Sequence, residues 1–183
     1  MPESIVVFKS GLAEAACSAG ISREKAEEYQ RGATLGFAKN RVYSQIENSG
    51  GGRLIIKSKD GEEGYINKDS VNKMLSSYVD SVSNGFNEAQ HFAAVADIVN
   101  LYGNSTKVLT HPDKKGSHNV KAINRFVAPL YENNFALITG KEIVENGRKI
   151  YNLELMKLGR LEGLFVEEES KKFHCNPATS HPH

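Results

Sequence analysis

The sequence predicts an α+β fold in which N-terminal helices pack on a small antiparallel sheet of about four strands, with a separate β-hairpin between them. Apolar residues recur at helical spacing in the first half of the chain, and short runs bounded by turn residues fill the second half. Asn146-Gly147 separates two of these runs as a two-residue hairpin turn does. The glycine-rich segment 48–53 favours a boundary, which divides the chain into a helical segment 1–50, a core domain 51–160 and a tail 161–183.

The first predicted helix begins after Ser22, a plausible N-cap, and continues to about Asn48. Gly32 and Gly36 weaken it, and they indicate either a break or a close helix contact. A hairpin follows over Leu54 to Ile66, because Asp60-Gly61 supplies a turn with positive φ.

Asp69 is predicted to cap a second helix that ends at Asn84-Gly85, and Asn87 with Gln90 forms the capping box of a third that ends at Gly103. After Gly103 the sequence predicts four strands, over residues 107–110, 120–130, 135–144 and 150–158.

The Asn146-Gly147 turn fixes the register of the last two strands, since it pairs Glu145 with Arg148. One face then carries apolar residues and should cover the helices. On that face Tyr151 is opposite Glu142, Leu153 is opposite Gly140, and Leu155 is opposite Ile138. The other face sets Leu137, Thr139 and Lys141 against Met156, Glu154 and Asn152. A mixed face of this kind is either solvated surface or a binding or catalytic face.

Composition excludes several function classes. Lys and Arg number 23 and Asp and Glu number 22, so any nucleic-acid binding must be local. There is no apolar run long enough for a membrane span. The two cysteines, Cys17 and Cys175, have no metal or redox spacing, and the common nucleotide, hydrolase and zinc-protease motifs are absent. We therefore expect no cofactor, no metal and a cytoplasmic location.

The densest group of ionisable side chains lies between His111 and His118, with Asp113, Lys114 and Lys115 between them. Two histidines near a lysine can supply a general base, a general acid and phosphate stabilisation, which is the set that RNA transesterification by its own 2′-hydroxyl needs. The alternative is a solvated loop.

Lys114, Lys115, Lys121 and Arg125 also form a basic run near Phe126 and Tyr131. Basic side chains beside aromatic ones suit single-stranded RNA, although solvated charge is the other reading. His91 lies on the apolar face of its helix and is predicted to be a packing residue.

A resemblance is carried by several segments together. They are Gly64-Tyr-Ile66, Gly85-Phe-x-x-x-x-His-Phe92, Ala96-Asp-Ile-Val-Asn-Leu-Tyr102, His111-Pro-Asp-Lys114, Val120-Lys-Ala-Ile-Asn-Arg-Phe-Val-Ala-Pro129, Gly140-Lys-Glu142 and Asn146-Gly-Arg-Lys-Ile-Tyr-Asn-Leu-Glu-Leu155. The chain resembles the large polyvalent-protein-associated domains of phages and mobile elements, and it is similar to their relatives in the barnase/RelE-like nuclease group.

The resemblance implies an effector that acts on host RNA or, alternatively, a non-catalytic inhibitor or adaptor that binds a host defence protein such as a CRISPR effector. The matching polar positions are His91, His111, Arg125, Lys141 and Tyr151. In a nuclease, His111 or His118 would be acid or base and Arg125 or Lys141 the cation on the phosphate. Thr139 and Tyr151 would orient the phosphate or the sugar.

Overall fold

The computed structural model describes residues 23–130 and 134–160, and it confirms the α+β class with helices packed against one sheet. The elements are α1 (Arg23–Arg31), α2 (Leu35–Asn48), β1 (Arg53–Lys57), β2 (Glu63–Asn67), α3 (Lys68–Ser76), α4 (Tyr78–Ser83), α5 (Glu88–Ala96), α6 (Ile98–Gly103), β3 (Thr106–His111), β4 (Ala122–Pro129), β5 (Asn134–Glu145) and β6 (Arg148–Arg160). The predicted tail 161–183 lies outside the described residues.

The sheet has six strands in the order β1-β2-β6-β5-β4-β3, two more than expected, because the hairpin predicted as separate supplies β1 and β2. The hairpin β1–β2 joins the sheet because β2 pairs in parallel with β6, through Gly64 with Tyr151 and Tyr65 with Asn152. The other neighbouring pairs are antiparallel. Gly64 permits this approach, since a Cβ there would lie 2.4 Å from a methyl carbon of Leu153.

The long helix predicted before Asn48 is broken at Gly32. This residue has a φ of +71°, and a Cβ on it would lie 2.6 Å from the Cβ of Ala89. Both readings of Gly32, a break and a close contact, are therefore correct, whereas Gly36 lies inside α2 without a close neighbour. Thr34 caps α2 by accepting a hydrogen bond from the backbone N–H of Phe37. Ser22, the predicted N-cap, lies outside the described residues.

The next two predicted helices are each divided in two. Asn67, not Asp69, caps α3 in a capping box with Ser70, and α3 ends before Ser77. The capping box of Asn87 and Gln90 is confirmed at the start of α5.

The helices cover one face of the sheet, called here the helix face, which carries Phe126, Ile138 and Leu153. The Phe126 ring is fully buried and makes edge-to-face contacts with Tyr102 at 5.1 Å and Tyr151 at 5.4 Å between centroids. Helix α2 adds Ala38, Val42 and Ile46 to the same core, so the boundary predicted at residue 50 falls between elements that pack together.

Helices α3 and α4 also run along the edge of β6 beyond its short pairing with β2. The Ser77 hydroxyl donates to the carbonyl of Leu155 at 3.1 Å, and the Asn84 amide donates to the carbonyl of Leu158 at 2.9 Å. The backbone N–H of Leu158 donates to Ser81 Oγ at 2.8 Å. Side chains of α4 and of the two residues that flank it thus satisfy backbone groups that a neighbouring strand would otherwise pair.

His91 joins this edge to α5 and is a packing residue, as expected. It is fully buried, its Nε2–H donates to the carbonyl of Met74 at 2.7 Å, and its Nδ1 accepts from the Ser81 hydroxyl at 2.7 Å. Burial lowers the pKa of His91, so the ring is neutral.

Candidate functional site on the opposite face of the sheet

Two adjacent rows of side chains cross the face opposite the helices. Strand pairing places His111, Ile123, Lys141 and Asn152 in one row, and Leu109, Arg125, Thr139 and Glu154 in the next. Residues paired across neighbouring strands point to the same face, and strands lie about 4.8 Å apart. The register therefore brings four of the predicted site residues, His111, Arg125, Thr139 and Lys141, to one face.

Arg125 is the most unusual side chain in these rows. Its guanidinium is half-buried, and Nη1 donates to Thr139 Oγ1 and contacts the sulfur of Met156. Among the described residues no carboxylate forms an ion pair with it. Burial lowers the pKa of Arg125, although the group remains charged at any physiological pH. A partly desolvated cation with only neutral partners is an attractive position for an anion.

Glu154 contributes a carboxylate to the second row. Its Oε1 lies 3.4 Å from the ammonium of Lys141 and 3.4 Å from that of Lys73, which reaches it from α3. The predicted register places Glu154 on this face opposite Thr139, although Glu154 is not among the predicted site residues. Its predicted pairing with Thr139, which is a predicted site residue, is the sequence signal that could have identified Glu154.

His111 lies at the end of β3, where the strand meets the polar loop. Its Nδ1 lies 2.9 Å from the carbonyl oxygen of Pro112, and because a carbonyl only accepts, Nδ1 carries a proton. In the neutral ring Nε2 therefore holds the lone pair.

The loop itself is preorganised by Asp113. The carboxylate accepts the backbone N–H groups of Ser117 at 2.8 Å and Lys115 at 3.1 Å, and these bonds chiefly hold the pKa of Asp113 below its usual value. Lys141 contributes a smaller attraction. The loop joins β3 to β4 next to the row that contains His111, Ile123 and Lys141. Lys114, Lys115, Lys121 and His118 are all exposed along this segment. None of the described hydrogen bonds joins the His118 side chain to the two rows.

Tyr151 does not join the other predicted site residues. It lies on the helix face with only 2% of its surface exposed, its ring packs against Phe126, and burial raises its pKa. Its pairing with Glu142, as the Asn146-Gly147 register predicts, puts it on the face away from Thr139 and Lys141. The structure thus separates Tyr151 from the candidate site.

A polar cluster on the helix face was not anticipated from the sequence. Glu62, in the β1–β2 turn, forms an ion pair with Lys107 of β3 at 2.7 Å, and the Tyr102 hydroxyl donates to the Glu62 carbonyl at 3.0 Å. These bonds join elements from opposite edges of the sheet. Glu62 Oε2 is shielded from solvent and has no hydrogen-bond partner among the described residues.

Neither a helix long and apolar enough to cross a membrane nor a group of three or more metal-ligating side chains is found within residues 23–130 and 134–160.

The family model described as large polyvalent protein-associated domain 3 matches residues 35–151. No curated protein and no solved structure matches the chain. The matched region contains His111, Arg125, Thr139 and Lys141, and it ends before Glu154.

Proposed function

Because the chain belongs to the large polyvalent protein-associated domain 3 family, we propose that it is a phage or mobile-element effector whose opposite sheet face binds and cleaves host RNA in the cytoplasm without a metal ion. The observation that carries this proposal is Arg125, a half-buried guanidinium without a carboxylate partner among the described residues. The proposal includes a relation to the barnase/RelE-like nucleases.

The substrate anion that suits Arg125 is a phosphodiester. A guanidinium offers several N–H donors in one plane and matches phosphate oxygens. Thr139 already holds one nitrogen of the group, which fixes its orientation before the substrate arrives. Lys141, in the neighbouring row on β5, adds a second cation. The exposed Lys114, Lys115 and Lys121, between β3 and β4, add further positive charge that can contact the RNA backbone.

Glu154 and His111 supply the base and the acid. The Glu154 carboxylate takes the proton of a ribose 2′-hydroxyl, whose oxygen then forms a bond to the adjacent phosphorus. The bond between phosphorus and O5′ breaks, and the His111 imidazolium gives its proton to O5′. The products are a 2′,3′-cyclic phosphate and a 5′-hydroxyl, and Arg125 stabilises the charge that develops on the phosphoryl oxygens.

The test is incubation of the purified chain with total RNA and with a tRNA pool in EDTA. The wild type should cleave and leave 2′,3′-cyclic phosphate ends. His111→Ala and Glu154→Gln should each reduce the rate by about 10²- to 10⁴-fold, since each removes a proton-transfer group. His118→Ala is the matched control, and it should retain the activity because that histidine lies outside the two rows.

Two results would contradict the proposal. One is the absence of cleavage by the wild type on both RNA pools. The other is cleavage that neither His111→Ala nor Glu154→Gln slows, which would move the activity to another site or to a contaminant.

A second function, that of a non-catalytic adaptor or inhibitor that binds a host defence protein, is supported by a different surface. Leu35 and Phe37, in the first turn of α2, are 46% and 54% exposed. Exposed apolar side chains favour a protein contact. If the wild type leaves RNA intact, a Leu35→Ser/Phe37→Ser variant that loses a defence-inhibition phenotype in cells would favour the adaptor.

A further inference from the structure

A pocket of about 330 Å³ lies on the same sheet face as the proposed nuclease site. It is lined by Arg53, Ile55, Glu63, Glu145, Asn146, Arg148 and Ile150, so it lies between β1–β2 and the tip of the β5–β6 hairpin. Tyr65 pairs with Ile55 on one side and with Asn152 on the other, and Asn152 pairs with Lys141. Ile55, which lines the pocket, is thus three strand spacings from Lys141, about 14 Å.

Arg53 forms a flat surface at this pocket. Its guanidinium carbon lies 4.8 Å from the centroid of the Tyr65 ring, and two of its nitrogens donate to the two carboxylate oxygens of Glu145 at 2.9 and 2.7 Å. The hydrogen bonds with Glu145 are the chief reason that the pKa of Arg53 is raised. The Tyr65 ring covers one planar side of the Arg53 guanidinium, and the Glu145 carboxylate lies at its edge. The other planar side remains for a ligand, and the Arg53 side chain is 36% exposed.

Arg125 and Arg53 therefore offer different chemistry on this face. Arg125 has no carboxylate partner among the described residues, which suits an anion, whereas the charge of Arg53 is already balanced by Glu145. Arg53 can still contact a ligand through the planar side of its guanidinium, next to the apolar side chains of Ile55 and Ile150. Guanidinium planes stack on unpaired nucleobases, which are flat and of a size that this pocket accommodates.

We propose that Arg53, supported by Tyr65 and Glu145, is a stacking platform for one unpaired nucleobase, so that the substrate is single-stranded RNA lying across the strands from Lys141 to the pocket. This rests on the proposed function, because it assigns the substrate of the same face. A duplex is excluded as substrate, since a paired base within its stack cannot reach the plane of Arg53.

The experiment scans the bases of a bound strand. Fluorescence anisotropy in EDTA measures the binding of a labelled 2′-O-methyl RNA decamer, which lacks the attacking hydroxyl and is not cleaved, and of ten versions that each lack one base. The proteins are the wild type, Arg53→Lys and Arg148→Lys. The last is the matched control, because Arg148 lines the same pocket and contacts Glu63 but does not lie over a ring of any described residue.

The wild type and Arg148→Lys should lose affinity by about fivefold or more when one particular base is missing. Arg53→Lys should bind the intact decamer more weakly by a similar factor and be indifferent to that missing base, because lysine keeps the charge and loses the plane. Circular dichroism and thermal unfolding check that Arg53→Lys is folded. If it is not, the scan of the wild type alone still decides, since stacking requires one position to stand out.

The contradicting results are distinct for the two proposals. Binding that depends on Arg125 but shows no sensitive base, or an equally sensitive base in Arg53→Lys, overturns the stacking platform and leaves the nuclease face intact. Failure of the wild type to bind the decamer, together with no cleavage of RNA, overturns both.

Discussion

The two faces of strand β4 differ in the surroundings of their side chains. Phe126 points to the helix face, where it is fully buried between two tyrosines, and Arg125, its neighbour in the chain, points to the opposite face without a carboxylate partner among the described residues. On the helix face both ring nitrogens of the buried His91 have partners within the fold, and Glu62 pairs through one oxygen with Lys107. The helix face is thus a packed core, whereas on the opposite face a partly buried cation has only neutral partners among the described residues.

The largest expected effect comes from the helix face. Phe126→Ala should lower the free energy of unfolding by about 3–5 kcal/mol, because it removes a buried ring and leaves a cavity between Tyr102 and Tyr151. Urea denaturation followed by circular dichroism measures this. A loss below about 1 kcal/mol would mean that the two faces do not differ in their contribution to stability.

Arg125→Gln tests the opposite face with the neighbouring residue. The free energy of unfolding should change by less than about 1 kcal/mol, because the guanidinium is partly desolvated and has only neutral partners. Affinity for RNA and the cleavage rate should fall by about 10²-fold, as expected for the loss of a charge-stabilising donor. Arg125→Lys is the control for charge alone. A variant that is strongly destabilised would make Arg125 a structural residue.

Acid should destabilise the chain through His91. Burial lowers its pKa in the folded state, so below the ordinary value of about 6.5 the unfolded chain binds a proton more readily than the folded one. The stabilisation is complete above that pH and decreases as the pH falls through it, with a slope of at most about 1.4 kcal/mol per pH unit for one proton.

His91→Gln should remove this part of the slope between pH 7 and pH 5 in urea denaturation, while His118→Gln, at an exposed position, should not. An unchanged slope in His91→Gln would show that another group causes the acid sensitivity.

The local parts of this arrangement could be predicted from the sequence. Asn146 and Gly147 have φ values of +51° and +73°, as a two-residue turn requires, and the pairings Glu142–Tyr151, Gly140–Leu153 and Ile138–Leu155 are confirmed. The register shifts between Ile138 and Leu137, where a bulge pairs Leu137 with Lys157 instead of Met156. A bulge adds one residue to a strand without a required turn residue, so the alternation of side chains gives little sign of it.

The long-range parts could not be predicted. The parallel contact of β2 with β6 involves two residue pairs between segments far apart in the chain, and no local pattern encodes it. The face of Arg125 depends on its pairing with Thr139, which the ends of the predicted strand 120–130 left open. The partner of Glu154 from α3, Lys73, likewise becomes visible only when the helix is placed along the edge of β6.

Loss of the contact between Lys73 and Glu154 is expected to have the smallest effect on stability and on the cleavage rate. Lys73 and Lys141 both lie 3.4 Å from the same oxygen of Glu154, but Lys73 is 59% exposed and Lys141 belongs to the face itself. Lys73→Gln should change the free energy of unfolding by no more than about 0.5 kcal/mol, as exposed ion pairs contribute little. The cleavage rate should fall only a few-fold, because Lys141 still orients the carboxylate. Lys141→Gln should lower the rate further, because it also removes a contact with the phosphate.

Parallel rate measurements at low and high salt check this, since added salt should erase the effect of Lys73→Gln first. Equal losses in the two variants would place Lys73 among the groups that touch the substrate and would extend the functional face around the edge of β6 onto α3.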